Sequence, residues 1–427
     1  MMTCNNILYF ATLLIGGAMA WAIGANDVAN AMASTVGAGI LTVTQAIYIA
    51  AVFEALGALL ASGQVANMMR HGIVDVTLFQ LQPELFICGM LAALLAAATW
   101  LIIATRYGLP VSTTHSIVGA ILGFGVISTG LRHIHWHNIT AIAISWILTP
   151  ITGALGGAVL FLWIQRSILS DRNPFQRCKL QVPFYSAAVV GVFSYIVLFE
   201  CLDTIGLNIV SQAKIQWWLA LILVTYVVSY GALSYQLVQA EKSKREELYH
   251  HVERCFTGLA VLTSCGMAFS HGANDVANAI GPIAAILSTI ASGKVELDAV
   301  LLPFWLVCFG AGAIVLGLIC YGYKIMQTVG SHITQITPIR GFCIQFSTSI
   351  IVIVASGLGM PVSTTQTMIG SIFGVGLVRG LQAINTQMVG NIFLSWVITL
   401  PAGTLLAMLY YRIFTWGYVI YGYICYR

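Results

Sequence analysis

The 427-residue chain is poor in charge: Asp, Glu, Lys and Arg together make up only 7% of it, against roughly 25% in a soluble domain. With 59% of its residues hydrophobic, that shortage excludes a soluble globular protein. The net charge of +4 is small, and no nucleic-acid partner is expected. Ten cysteines are scattered through mostly apolar runs with no C-x-x-C pair, so they read as small core residues rather than a disulfide or thiolate-metal framework. Met1 to Asn6 lacks the basic residues that open a cleaved signal peptide, and the first apolar segment is expected to stay.

What the chain does have is a succession of apolar stretches, each near the roughly 20 residues a membrane-crossing helix needs. They are too long and too evenly apolar for the alternating pattern of barrel strands. The expected fold class is an all-α polytopic membrane protein, multi-pass in the lipid bilayer, and in the cell (inner) membrane if the source is bacterial.

One polar string interrupts this pattern twice. Gly24-Ala-Asn-Asp-Val-Ala-Asn-Ala31 returns unchanged as Gly272 to Ala279, an offset of 248. Leu109-Pro-Val-Ser-Thr-Thr114 returns as Met360-Pro-Val-Ser-Thr-Thr365 at an offset of 251, and Ser145-Trp146 returns as Ser395-Trp396 at 250. Three matches at nearly one spacing define an internal duplication, too long in period for a solenoid. Residues 5–165 form a first transmembrane repeat and 255–412 a second. Residues 166–254 hold a basic loop, two linker spans and a charged cytoplasmic segment, and 413–427 form a C-terminal tail.

If each Pro-Val-Ser-Thr-Thr stretch belongs to one broken or re-entrant crossing, there are about twelve crossings, and an odd number separates the repeats. They then enter the membrane from opposite faces, as the inverted-topology repeats of many secondary transporters do, and their broken helices meet near the midplane. The basic residues divide twelve to six between the two faces on this count, which puts Arg166, Arg172, Arg177 and Lys179 in the cytoplasm and both termini outside.

The polar residues form two constellations. Pro110 to Thr114 and Pro361 to Thr365 read as helix starts within the membrane zone, with proline in the first turn and Ser or Thr at the cap. Helix starts offer unpaired N–H groups and the positive end of the dipole. Two of them, brought together, would face one anion with six hydroxyls, from Ser112, Thr113, Thr114, Ser363, Thr364 and Thr365. The alternative is that these hydroxyls bond their own backbone at a kink.

Asn26, Asp27 and Asn30, with Asn274, Asp275 and Asn278, supply carboxylate and amide oxygens, hard ligands suited to Na⁺ or Mg²⁺. Gly24 lets the chain unwind just before the first set. An interhelical amide clasp would explain the asparagines, though not the aspartates. A carboxylate within the membrane is by default a functional residue. Two of them beside a bound anion are untenable unless cations enter too. Anion and cation should therefore bind together, with either Na⁺ at Asp27 and Asp275 or protons on them.

Glu54 is an accessory candidate for coupling, and His115 for a proton relay on one side only, because its counterpart is Gln366. His133, His135 and His137 around Trp136 read as a solvated aromatic belt rather than a metal site.

The two Gly-Ala-Asn-Asp-Val-Ala-Asn strings, each followed by Pro-Val-Ser-Thr-Thr, resemble the inorganic phosphate transporter (PiT) family across both repeats. The resemblance implies import of inorganic phosphate with co-transported Na⁺ or H⁺, in some bacterial members as a neutral metal-phosphate complex. It places the cation at Asp27 and Asp275 with their asparagines, and phosphate at the Ser-Thr-Thr cradles.

The chain departs from the family pattern at Gln366, where members commonly carry histidine, and at Gln345, where many carry glutamate. Both departures bear on coupling. The long central domain of mammalian members is missing, with only Glu241 to Arg254 in its place. No cofactor is expected and no enzymatic activity; a homodimer is compatible with the resemblance. The rival readings are a transporter or channel for another tetrahedral oxyanion such as sulfate, and an intramembrane hydrolase using Ser112, His115 and an aspartate.

Overall fold

A computed structural model describes residues 2–201, 210–240, 248–296, 302–332, 336–380 and 386–425. Within hydrocarbon every backbone N–H and C=O must be satisfied inside the chain, so apolar runs of this length become helices. Fifteen α-helices and no β-strand occur among the described residues.

α1 (Met2–Asn26) and α2 (Val28–Gly37) form a rod interrupted at Asp27, and α3 (Val43–Ala61) starts at a capping box made by Thr42 and Gln45. The short α4 (Gly63–His71) precedes α5 (Pro83–Arg106), α6 (Thr113–Thr129) and α7 (Trp136–Ile164). α8 (Pro174–Tyr195) and α9 (Ser211–Ala240) pack on each other, and α10 (Leu248–Cys255) leads into the second half. The remaining helices are α11 (Thr257–Ser292), α12 (Phe304–His332), α13 (Pro338–Gly357), α14 (Thr364–Val378) and α15 (Thr386–Cys425). Of the charged segment expected from Glu241 to Arg254, residues 241–247 lie outside the described residues and the rest is mostly α10.

Ten stretches among the described residues are long and apolar enough to cross a membrane. Their outward faces carry Leu155 and Trp163 on α7, Leu219 and Val228 on α9, and Leu405 and Trp416 on α15, all more than half exposed. Apolar surface on this scale belongs against lipid. The protein is an integral, multi-pass membrane protein.

α6 and α14 are different. With 17 and 15 residues they are about 26 and 22 Å long at 1.5 Å per residue, short of a ~30 Å hydrocarbon core. Each is preceded by an extended stretch, and each packs against the last long helix of the other half, α6 on α15 and α14 on α7. These crossings are tight: a Cβ added to Gly374 would overlap the Ala154 carbonyl oxygen.

Proline does not occupy the first turn of either short helix. Pro110 and Pro361 lie two residues before the caps Ser112 and Ser363, which are extended and accept the N–H of His115 (3.1 Å) and Gln366 (3.2 Å). The helix starts at the first threonine.

Candidate functional site

α1, α6, α11 and α14 bring both duplicated strings and both Ser-Thr-Thr starts to one buried place. The side chains of Asn26, Asp27, Ser112, Thr113, Thr114, Asn274, Asp275, Asn278, Ser363, Thr364 and Thr365 are all buried, at no more than 1% exposure. Thr113 Oγ1 lies 2.7 Å from Asp27 Oδ2 and 3.4 Å from Asp275 Oδ2. Thr364 donates to Asp275 Oδ2 at 2.9 Å, and Thr365, from the opposite half, donates to Asp27 Oδ1. The two cradles are also tied to each other: Thr114 donates to the Val362 carbonyl (3.0 Å), and Thr365 lies 3.4 Å from the Val111 carbonyl.

The asparagines make the loops before the helix starts. Asn26 Nδ2 donates to Thr105 Oγ1 (2.9 Å) and the Leu109 carbonyl (3.0 Å), while its Oδ1 accepts the Val111 N–H (3.2 Å). Asn274 Nδ2 repeats the two donations, to Ser356 Oγ (2.9 Å) and the Met360 carbonyl (3.3 Å). Asn278 Nδ2 donates to Thr114 at 3.2 Å. Its counterpart Asn30 has a side chain outside the described residues.

The glycines of the strings permit close crossing rather than unwinding. Both Gly24 and Gly272 are helical; a Cβ on Gly24 would overlap the Ile314 carbonyl oxygen, and one on Gly272 that of Glu54. The helix is interrupted at Asp27 in the first copy, although the Asp27 N–H still donates to the Ile23 carbonyl at 2.8 Å, whereas α11 runs unbroken through the second.

His271 belongs to the site although no motif announces it. Its Nδ1 is paired with Glu54 Oε1, and its Nε2 lies 2.8 Å from Asp275 Oδ2, one helical turn on. The corresponding residue in the first copy is Ile23, fully buried, so the two halves differ here. The available signal was the i, i+4 spacing of His271 and Asp275 within an apolar run.

His115 stacks on Trp146 with centroids 3.8 Å apart, and Trp146 Nε1 donates to the Pro361 carbonyl at 3.2 Å. The Ser112 hydroxyl accepts the backbone N–H of His115, not a bond from its imidazole, which leaves a serine nucleophile without its base among the described contacts. Gln345 donates to the Ala31 carbonyl and to Ser34 Oγ, both at 2.8 Å, joining α13 to α2.

The carboxylate oxygens of Asp27 and Asp275 and a nitrogen of His271 fall within 4.8 Å of one another. At an effective dielectric near 20, two carboxylates at that spacing repel by about 3–4 kcal/mol. Hydroxyl donors alone do not neutralise them, and an added oxyanion would increase the repulsion. The arrangement suits a cation between the acids and an anion at the helix starts.

A solved structure described as the sodium-dependent phosphate transporter matches with a TM-score of 0.87 and 38% sequence identity, covering 96% of this chain and 99% of that one. A putative phosphate permease of Haemophilus influenzae is 39% identical over 95% of this chain and 96% of its own length. The chloroplastic inorganic phosphate transporter 2-1 of Arabidopsis thaliana is 39% identical over 96% of this chain and 73% of its own length. The model of the phosphate transporter family matches residues 23–407. On the duplicated acids, the paired hydroxyl-bearing helix starts and this match across most of its length, the chain belongs to the phosphate transporter family.

Proposed function

We propose that this protein imports inorganic phosphate together with Na⁺ by alternating access, with both ions at the junction of the four site helices. The observation that carries the reading is the convergence of Asp27 and Asp275, 248 positions apart in the chain, on the hydroxyls of Thr113, Thr364 and Thr365. The aspartates serve the cation. The hydroxyls and the N–H groups of the two helix starts serve the phosphate. The sodium dependence named for the structural neighbour and the hard oxygen ligands favour Na⁺ over protons.

The asparagines hold the phosphate loops in place and reach the ions through them, with Asn278 acting by way of Thr114. The two halves act as inverted repeats about this site, and the ties between Thr114 and Val362 and between Thr365 and Val111 re-form as access alternates. Phosphate is favoured over sulfate because it carries protons that carboxylate and hydroxyl acceptors can recognise.

The test is Na⁺-driven phosphate uptake by Asp27→Asn and Asp275→Asn. Each variant is expected to reach the membrane and to lose coupled accumulation. Accumulation at the wild-type level in either would assign the carboxylates a structural role.

A further inference from the structure

We propose that Asp27, His271 and Asp275 also form a binding site for a divalent transition metal such as zinc, which competes with the co-transported cation. The inference rests on the reading above that a cation lies between the two aspartates, and it adds an imidazole to that site.

Three observations carry it. The ligand atoms of the three residues lie within 4.8 Å of one another and all three side chains are buried. A tetrahedral zinc with bonds of about 2.0–2.1 Å spaces its ligands by about 3.3 Å, so small shifts close this set around a metal. The second observation is orientation. Glu54 engages His271 Nδ1, and the other ring nitrogen is turned towards the aspartates. This is the carboxylate–histidine–metal arrangement, in which an outer carboxylate fixes the ring so that Nε2 presents its lone pair.

The third is a set of polar atoms in a dry place. His271 Nε2 is in ion-pair contact with Asp275 Oδ2 at 2.8 Å, and Asp275 Oδ1 has no hydrogen-bond partner among the described residues. Buried polar atoms are ordinarily paired.

Sodium makes no use of an imidazole nitrogen, whereas zinc and cobalt(II) prefer one. The other half shows that the fold does not require the pair. Gly24 meets Ile314 as Gly272 meets Glu54, and the places of His271 and Glu54 are taken there by Ile23 and Ile314, both fully buried. Packing is met by two isoleucines, so the polar pair has another use.

The test is zinc binding by untagged, metal-free protein purified in detergent without Na⁺, followed by calorimetry and by X-ray absorption at the zinc edge. One site with imidazole and oxygen ligands is expected. His271→Gln and His271→Ala should each remove the imidazole signal and weaken binding at least 100-fold. Glu54→Gln should weaken it by about 10–100-fold, as loss of an outer carboxylate does.

Absence of a wild-type site, or an imidazole signal that survives both His271 substitutions, overturns the inference. These readouts require no transport. Zinc bound as described but not displaced by Na⁺ would overturn the competition and count against the sodium assignment. Sodium-driven uptake without zinc binding would sink the metal site alone.

Discussion

Thr113 shows how much of the site depends on single hydroxyls, since its one oxygen stands between Asp27 and Asp275. Thr113→Val keeps the shape and removes the donor. A hydrogen bond to a charged group is worth about 1.5–3 kcal/mol, so the half-saturating phosphate concentration should rise about tenfold or more. Initial-rate uptake across a phosphate series checks this, and an unchanged value would remove the hydroxyl from the site. The acids and hydroxyls were legible in the sequence because the duplication printed them twice. His271 was not singled out, because it occurs in one copy only and its i, i+4 spacing from Asp275 is a weak signal beside a duplicated string. The role of Asn26 was legible only as an alternative: identical spacing in both copies fits a cation ligand and a clasp equally well, and only the Thr105 and Leu109 contacts show the clasp. At Gln345 the structure supplies a reason for the amide, which donates to the Ala31 carbonyl where a carboxylate has no hydrogen to offer.

At the scale of elements, the site depends on helices that approach each other at backbone distance. α14 lies so close to α7 that Gly374 has no room for a methyl group against the Ala154 carbonyl, while Gly312 on α12 faces open space. Alanine normally improves a helix by about 1 kcal/mol over glycine. Gly374→Ala should nevertheless lower the yield of folded protein and its unfolding temperature in detergent, and Gly312→Ala should leave both unchanged or slightly raised. Equal behaviour of the two would show that the crossing relaxes easily. Hydropathy made the long spans readable from the chain, but not the exchange of partners. That α6 packs on α15 and α14 on α7 follows from surfaces far apart in sequence, which no local pattern encodes. The break at Asp27 and the continuity of α11 through the same eight residues make a related point: the string permits both conformations and its neighbours choose between them.

For the molecule as a whole, the account reduces to charge balance in a low-dielectric interior. Asp27, Asp275 and Glu54 are all buried, with His271 beside them, and a phosphate bound next to them would add further negative charge. Transport of the anion alone would leave that repulsion uncompensated, so movement of phosphate must be tied to movement of a cation. Membership of the phosphate transporter family agrees with this demand. The most direct measurement is phosphate accumulation by the purified protein in sealed proteoliposomes, with either an inward Na⁺ gradient at constant pH or an inward proton gradient without Na⁺. The account predicts accumulation above the external concentration with the Na⁺ gradient and only equilibration without it. Accumulation driven by the proton gradient alone, or uptake indifferent to both gradients, would contradict it.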